Sequence, residues 1–142
     1  MGNSNLSIGL LSETRPSVID PYNNGQGTVL YNHNIVEVDV IKDEMGGVTI
    51  TASPKTATGK MYRYDSLRVE YPTTADHIFS TLLSAKYPAN TESKLVNEYQ
   101  SAVLGILPKE NKKPYENFLR DRLAIRKMVD SDCATLCIPM DL

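Results

Sequence analysis

Residues 66–79 read S-L-R-V-E-Y-P-T-T-A-D-H-I-F, and the spacing of their apolar side chains changes at Pro72. Before the proline, Leu67, Val69 and Tyr71 alternate with charged residues, which is the period of a half-buried strand. Beyond it, the apolar residues follow the helical period of 3.6. Because strand patterns precede this point and helical patterns follow it, the sequence predicts an α+β fold.

The alternation continues upstream and predicts a small antiparallel sheet over about residues 28–71. Three valines share one face of the first long strand: Val36, Val38 and Val40. Residues 43–47 contain two glycines and form a turn, so this strand and residues 48–52 are predicted to pair as a hairpin. The alternation slips near Asp65, where we expect a bulge or bend.

Three helices are predicted in the second half of the chain, over about residues 74–87, 91–105 and 113–129. Thr73 or Thr74 is suited to cap the first helix, and Pro114 is suited to the first turn of the third. The second helix has its own apolar stripe, formed by Leu95, Tyr99, Ala102, Val103 and Ile106. We therefore expect a single α+β domain over residues 28–130.

The two ends of the chain have different patterns. Residues 1–27 are rich in Asn, Gly, Ser and Pro, which interrupt any regular period. This segment is predicted to be an N-terminal arm, either flexible or docked on the domain or on a neighbouring subunit. Residues 131–142 follow an Asp-Ser-Asp run and are predicted to be a C-terminal tail.

The composition of the 142-residue chain excludes several classes of protein. It has a formal net charge of −2, two Cys, two His and no Trp. Two thiols do not make a disulfide-stapled secreted domain, and no stretch approaches the roughly 20 apolar residues of a membrane span. The N-terminal residues also lack the basic segment followed by an apolar segment that forms a secretory signal. These observations favour a cytoplasmic protein with no membrane contact. Because the common phosphate-binding, nucleophile-elbow and zinc-helix motifs are absent too, we expect no enzymatic activity and no cofactor.

The few reactive side chains do not form a recognisable site in the sequence. Cys133 and Cys137 have C-x₃-C spacing, but a metal site would need two further ligands. His33 falls in a predicted turn, and His77 falls beside the apolar face of the first helix. Acidic pairs such as Glu37 with Asp39 are typical of the wet face of a strand. We therefore predict no catalytic residues and no metal ligands.

The third helix is the strongest candidate for function. Its apolar stripe is formed by Tyr115, Phe118, Leu119, Ile125 and Val129. Arg122 and Arg126 fall inside that stripe, and residues 109–127 hold seven basic residues against three acidic ones. Such arginines either pair with carboxylates of the same chain, for example Glu70, or meet an acidic protein surface or a phosphate. The predicted partner-binding residues are Arg122, Arg126, Arg120, Lys112, Lys113 and Tyr115.

One similarity extends over about residues 62–127. The succession 64–70 (Y-D-S-L-R-V-E), the helix end 82–87 (L-L-S-A-K-Y) and 97–99 (N-E-Y) precede a charged helix with Tyr115 and Arg120. This succession resembles small proteins encoded in bacterial prophages. The resemblance implies an accessory protein that acts by assembly or contact, and a location in the virion as an alternative to the cytoplasm.

Three functions follow from these patterns. The first is a non-enzymatic protein-interaction or structural accessory module, whose partner is another protein or a second copy. The second is a nucleic-acid-binding accessory protein that uses the basic third helix, although two tyrosines beside basic residues on one strand are its only aromatic support. The third is an enzyme without a recognisable motif, which would need a pocket that joins a histidine or cysteine to a carboxylate.

Overall fold

The computed structural model describes residues 5–141, which form a sheet unit that ends at Tyr71 and a helical unit that begins at Pro72. The predicted α+β fold is confirmed, because an antiparallel sheet precedes three helices. The change of hydrophobic period at Pro72 therefore coincides with the boundary between the two units.

The sheet has five strands: β1 (Leu6–Ser12), β2 (Ile19–Pro21), β3 (Val29–Lys42), β4 (Val48–Ile50) and β5 (Gly59–Val69). Their order is β1-β5-β3-β2, with β4 also pairing with β3, and every pairing is antiparallel. The predicted range of 28–71 was therefore too short, since part of the predicted N-terminal arm supplies β1 and β2. The first four residues of that arm lie outside the described residues.

The predicted hairpin is confirmed between β3 and β4. The Asp43 carboxylate accepts hydrogen bonds from the N–H groups of Met45 and Gly47, at 2.9 Å and 2.6 Å. Gly46 takes the left-handed conformation that the turn requires. The turn is thus closed by the Asp and Gly residues from which it was predicted.

The predicted irregularity near Asp65 is present, but it lies in the strands on either side of that residue. The register of β1 shifts between Ser7 and Leu10, and that of β3 shifts between His33 and Val36. His33 therefore lies buried inside β3, and its prediction as a turn residue was wrong.

Two predicted core positions of the sheet are also corrected. Val40 is fully buried as predicted, but Val36 is 50% exposed, because beyond the shift in β3 it lies opposite Arg63. Leu67 and Val69 are fully buried, whereas Tyr71 lies beyond the end of β5 and is exposed.

The helical unit contains α1 (Ala75–Lys86), α2 (Thr91–Val103) and α3 (Lys113–Thr135), with a 3-10 turn at Lys109–Lys112. Thr74 caps α1, accepting a hydrogen bond from the N–H of His77 at 3.1 Å. α3 is longer than the predicted 113–129, because Cys133 continues the buried stripe of Phe118, Ile125 and Val129. The helix therefore includes the first part of the predicted C-terminal tail.

The predicted apolar stripe of α2 is confirmed only in its first part. Ala102 is buried and Leu95 and Tyr99 are half-buried, whereas Val103 and Ile106 are exposed. The helix ends at Val103, and Gly105 has a left-handed backbone that turns the chain away from the helical path. Ile106 consequently does not share a helix face with Tyr99.

Candidate functional site

The six predicted partner-binding residues are spread along α3 and do not converge on one site. Lys112 and Lys113 lie where the helix begins, and Arg126 lies more than three turns further on. At 1.5 Å per residue, this separation is roughly 20 Å. Each group therefore has to be considered in its own surroundings.

The two lysines line an open hollow of about 370 Å³ at the start of α3, together with Lys109 and two acidic residues, Glu110 and Glu116. The positive charge of the lysines is partly offset by those carboxylates. The hollow therefore carries charges of both signs and a smaller net positive charge than its lysines alone would give.

Tyr115 and Arg120 both have partners within the helical unit. The Tyr115 ring lies 5.3 Å from that of Tyr99 and 6.1 Å from that of Phe118, measured between ring centroids. Arg120 donates to the side-chain oxygen of Asn117 at 3.3 Å, on the same helix. Tyr115 is half-buried and packs within this aromatic cluster, whereas Arg120 is exposed.

Arg126 is paired within the helical unit. It donates to Asp76 at 2.7 Å and to Asp130 at 3.1 Å, and its guanidinium lies 4.9 Å from the centroid of the Phe79 ring. The hydrogen bond to Asp76 raises the pKa of Arg126 further above its ordinary value. The intramolecular alternative is therefore observed for Arg126, with helical carboxylates as its partners. Glu70, suggested earlier as a partner, instead accepts from Arg68 and Thr28 inside the sheet unit.

Arg122 has a different environment. Its guanidinium also stacks on Phe79, 5.1 Å from the ring centroid, but it forms no ion pair with any carboxylate within residues 5–141. Two exposed leucines lie beside it on α3, both on the same side around the helix: Leu119 at 45% and Leu123 at 54%. We call Leu119, Arg122 and Leu123 the Arg122 surface.

Leu119 was predicted to lie in the buried stripe of α3, and the structure corrects this. At 100° per residue, Leu119 lies roughly 100° from the line through Phe118, Ile125 and Val129. The helical period therefore permits its exposure. The sequence indicated the arginine of this surface, but did not indicate that the adjoining leucines would be exposed.

The histidines and cysteines remain dispersed. His77 is in α1, Cys133 is buried in α3, and Cys137 is exposed just after that helix. Burial, reinforced by nearby carboxylates, raises the pKa of the Cys133 thiol. Within the described part of the chain, no three His, Cys, Asp or Glu residues are grouped as metal ligands.

One histidine lies across the sheet from a carboxylate, because His33 in β3 is in register with Asp65 in β5. Both residues are buried. The two Asp65 oxygens accept hydrogen bonds from Gly9 N–H at 3.1 Å and from the Asn34 amide at 2.9 Å. These hydrogen bonds stabilise the irregular backbone at the two register shifts of the sheet, so Asp65 has a structural role. Sequence reasoning missed the pair because it placed His33 in a turn.

The edge strand β1 was also missed. Leu6, Ile8 and Leu10 alternate with smaller residues, which is a strand signal, but Gly9 and the short length of the run weaken it.

None of the helices in residues 5–141 is both long enough and apolar enough to cross a membrane. In comparisons with known proteins, no family model, curated protein or solved structure matches this chain.

Proposed function

We propose that this chain is a non-enzymatic interaction module that acts by assembly, and that the Arg122 surface binds an acidic partner protein. The observation that carries the proposal is a guanidinium that has no carboxylate partner among residues 5–141 and lies beside two exposed leucines of the same helix. The resemblance to small prophage accessory proteins supports the same class of function. We assign the protein no catalytic role and no cofactor.

The Phe79 ring prepares Arg122 for binding. Stacking on an aromatic face restricts the guanidinium before a partner arrives, so less conformational entropy is lost on binding. Arginine and apolar side chains together are typical of the centre of protein interfaces. The complementary partner surface is a carboxylate surrounded by apolar groups, because both the charge and the leucines are then matched.

Nucleic acid is the less favourable partner for this helix. The basic excess of residues 109–127 is reduced in the structure, since Arg126 is bonded to two aspartates and Lys112 lies beside two glutamates. Phosphate-binding surfaces are more polar and more strongly positive than this one. The exposed leucines would have no counterpart on a phosphate backbone.

The test compares two charge reversals on the same helix. Arg122→Glu changes the Arg122 surface, and Arg120→Glu makes the same change on an exposed residue that stands about 160° away around the helix. The wild type and each variant are immobilised on a resin and incubated with a lysate of cells that express the genes on either side of the gene for this protein. We expect an acidic protein to be retained by the wild type and by Arg120→Glu, and to be lost from Arg122→Glu.

Two results would contradict the proposal. The first is equal retention of the same proteins by both variants. The second is binding to duplex DNA or RNA at about 50 mM salt that is abolished when Lys112 and Lys113 are changed to Glu, which would favour the nucleic-acid alternative. Leu119→Ser provides an independent variant, which removes apolar area without changing the charge and should also weaken retention.

A further inference from the structure

One edge of the sheet is long and has neither a charged residue nor a proline. β1 spans seven residues, L-S-I-G-L-L-S, without a charge or a proline, and no strand among residues 5–141 pairs with its outer side. Ile8 on this strand is 66% exposed. The opposite edge is built from two strands of three residues each, and one of them ends in Pro21. Short strands and proline are devices that prevent edge-to-edge pairing, and β1 has neither.

The hydrogen bonds to β5 show which backbone groups of β1 point outward. Arg68 donates its N–H to the carbonyl of Asn5 at 2.8 Å, so Asn5 faces β5. In an antiparallel ladder successive residues alternate, so Leu6 turns its N–H and C=O outward and Ser7 faces β5 again, opposite Ser66. The first outward residue of the strand is therefore Leu6.

The bulge changes this alternation. Ile8 and Gly9 together occupy the space of one residue, because Ser7 lies opposite Ser66 and Leu10 lies opposite Tyr64. Beyond the bulge, Leu10 therefore faces β5 and Leu11 turns outward. In a regular strand, two residues separated by an odd number of positions would point in opposite directions. The bulge instead makes Leu6 and Leu11 point the same way, at equal distances from the middle of the strand.

This arrangement makes the edge complementary to itself. A two-fold axis between Ile8 and Gly9 brings Leu6 of one copy opposite Leu11 of the other, and both have outward backbone groups. Opposite residues of an antiparallel pair must also share a sheet face. That condition is met, because Leu6 and Leu11 lie on the face of Leu67 and Arg63, while Ser7 and Leu10 lie on the other face.

We propose that β1 pairs antiparallel with β1 of a second copy, which joins the two sheets edge to edge in a homodimer. The seven residues of β1 carry no charge of their own, which favours this occupant, because two identical strands then match their apolar side chains. The charge nearest to the two-fold axis is the Arg63 guanidinium of β5, which lies against Gly9 and has to turn away from the axis in the dimer. A strand about 20 Å long buries a small interface, so the dimer is expected to depend on protein concentration. The proposal concerns the sheet unit and does not rest on the Arg122 surface.

The pairing predicts one specific disulfide between copies. Ser7 of one copy lies opposite Leu10 of the other at a pair without hydrogen bonds, where Cα atoms are about 4.5 Å apart and a disulfide can form. Because Ile8 and Gly9 fill one space, the same position in the two copies is offset by two residue spacings along the strand, or about 7 Å. Together with the distance between the strands, this offset exceeds the Cα separation that a disulfide can span. Ser7→Cys and Leu10→Cys are therefore made singly in a Cys137→Ser background, which removes the exposed native thiol.

We expect oxidation to cross-link a mixture of the two single-cysteine variants and to leave each variant alone largely uncross-linked.

Light scattering of Ile8→Lys should give the monomer mass, since two lysines would meet at the two-fold axis. Met45→Lys adds the same charge at an exposed turn residue and should keep the dimer. A wild-type monomer at every concentration, together with no cross-link in the mixture, would overturn the proposal. So would a dimer that persists in Ile8→Lys, because another surface must then form it. Retention of an acidic partner by Arg122→Glu is measured in a separate experiment. The dimer proposal and the proposed function can therefore fail independently of each other.

Discussion

Replacement of Asp65 tests whether one carboxylate holds both bulges of the sheet. Asp65 lies in β5 between the two bulged strands, and it is only 7% exposed. Its oxygens accept hydrogen bonds from Gly9 in β1 and from Asn34 in β3, at 3.1 Å and 2.9 Å. Both of these residues have left-handed backbones, with φ of 74° and 52°. Such conformations persist only where surrounding interactions stabilise them, particularly for a residue other than glycine.

Asp65→Ala removes both hydrogen bonds. A hydrogen bond to a charged group contributes about 1.5 to 3 kcal/mol, and the alanine also removes the cost of burying the charge. We therefore expect the free energy of unfolding to fall by about 2 to 4 kcal/mol. In Asp65→Asn, Gly9 keeps an acceptor, and the Asn34 amide can rotate to accept from the new side chain. The expected loss in that variant is about 1 kcal/mol.

Urea unfolding followed by circular dichroism measures these losses, and the amide resonance of Gly9 reports the bulge directly. Asp39→Ala is the matched control, because Asp39 lies in the same sheet and only faces Lys60 at 3.7 Å. That ion pair is long and its lysine is exposed, so it should contribute less than about 1 kcal/mol. If Asp65→Ala loses no more stability than Asp39→Ala, or if Asp65→Asn loses as much as Asp65→Ala, the carboxylate does not hold the bulges.

Three further predictions concern the helical unit. Arg126→Ala should lower the free energy of unfolding by about 1 to 2 kcal/mol, since its ion pairs are partly exposed, and high salt should reduce the difference from wild type in thermal melts. Burial and the hydrogen bond to Asp121 raise the pKa of Tyr87 to about 12. Because the unfolded state loses that proton near pH 10, the contribution of Tyr87 to stability is complete below about pH 10 and is lost toward pH 12. Tyr87→Phe should remove this part of the alkaline loss in urea titrations followed across that range, and an unchanged loss would contradict it. A thiol reagent should modify Cys137 in the native protein and leave Cys133 unmodified, because Cys133 is buried and its pKa is raised; mass spectrometry of the labelled peptides distinguishes the two.

Local patterns were sufficient where the structure depends on neighbouring residues. The hairpin at Asp43, the cap at Thr74 and the helix start near Pro114 depend on residues a few positions apart, so their sequence signals are complete. The same holds for the position of Arg122, because the helical period alone places it beside the apolar stripe of α3. These features were predicted from the sequence, with helix ends that differ by up to six residues.

Non-local pairing determined the features that the sequence did not reveal. β1 is recognisable as a strand only once β5 lies beside it, and the burial of His33 becomes visible only once β3 is paired with β5. The bulges need hydrogen bonds between residues 31 and 56 positions apart. No local window contains both partners of such a bond, so no local pattern records it.

By itself, the sequence determined that a sheet precedes three helices, that the change falls at Pro72 and that arginines lie on the apolar side of α3, because periodicity and capping are local properties. Only the tertiary structure decided which arginine is already paired. Asp76 is fifty positions from Arg126 in the chain, yet it lies within hydrogen-bond distance of it, while Arg122 is left with an aromatic ring and two exposed leucines. The structure likewise decided that the bulge in β1 turns Leu6 and Leu11 outward together, because the direction of a backbone group depends on the strand with which it pairs.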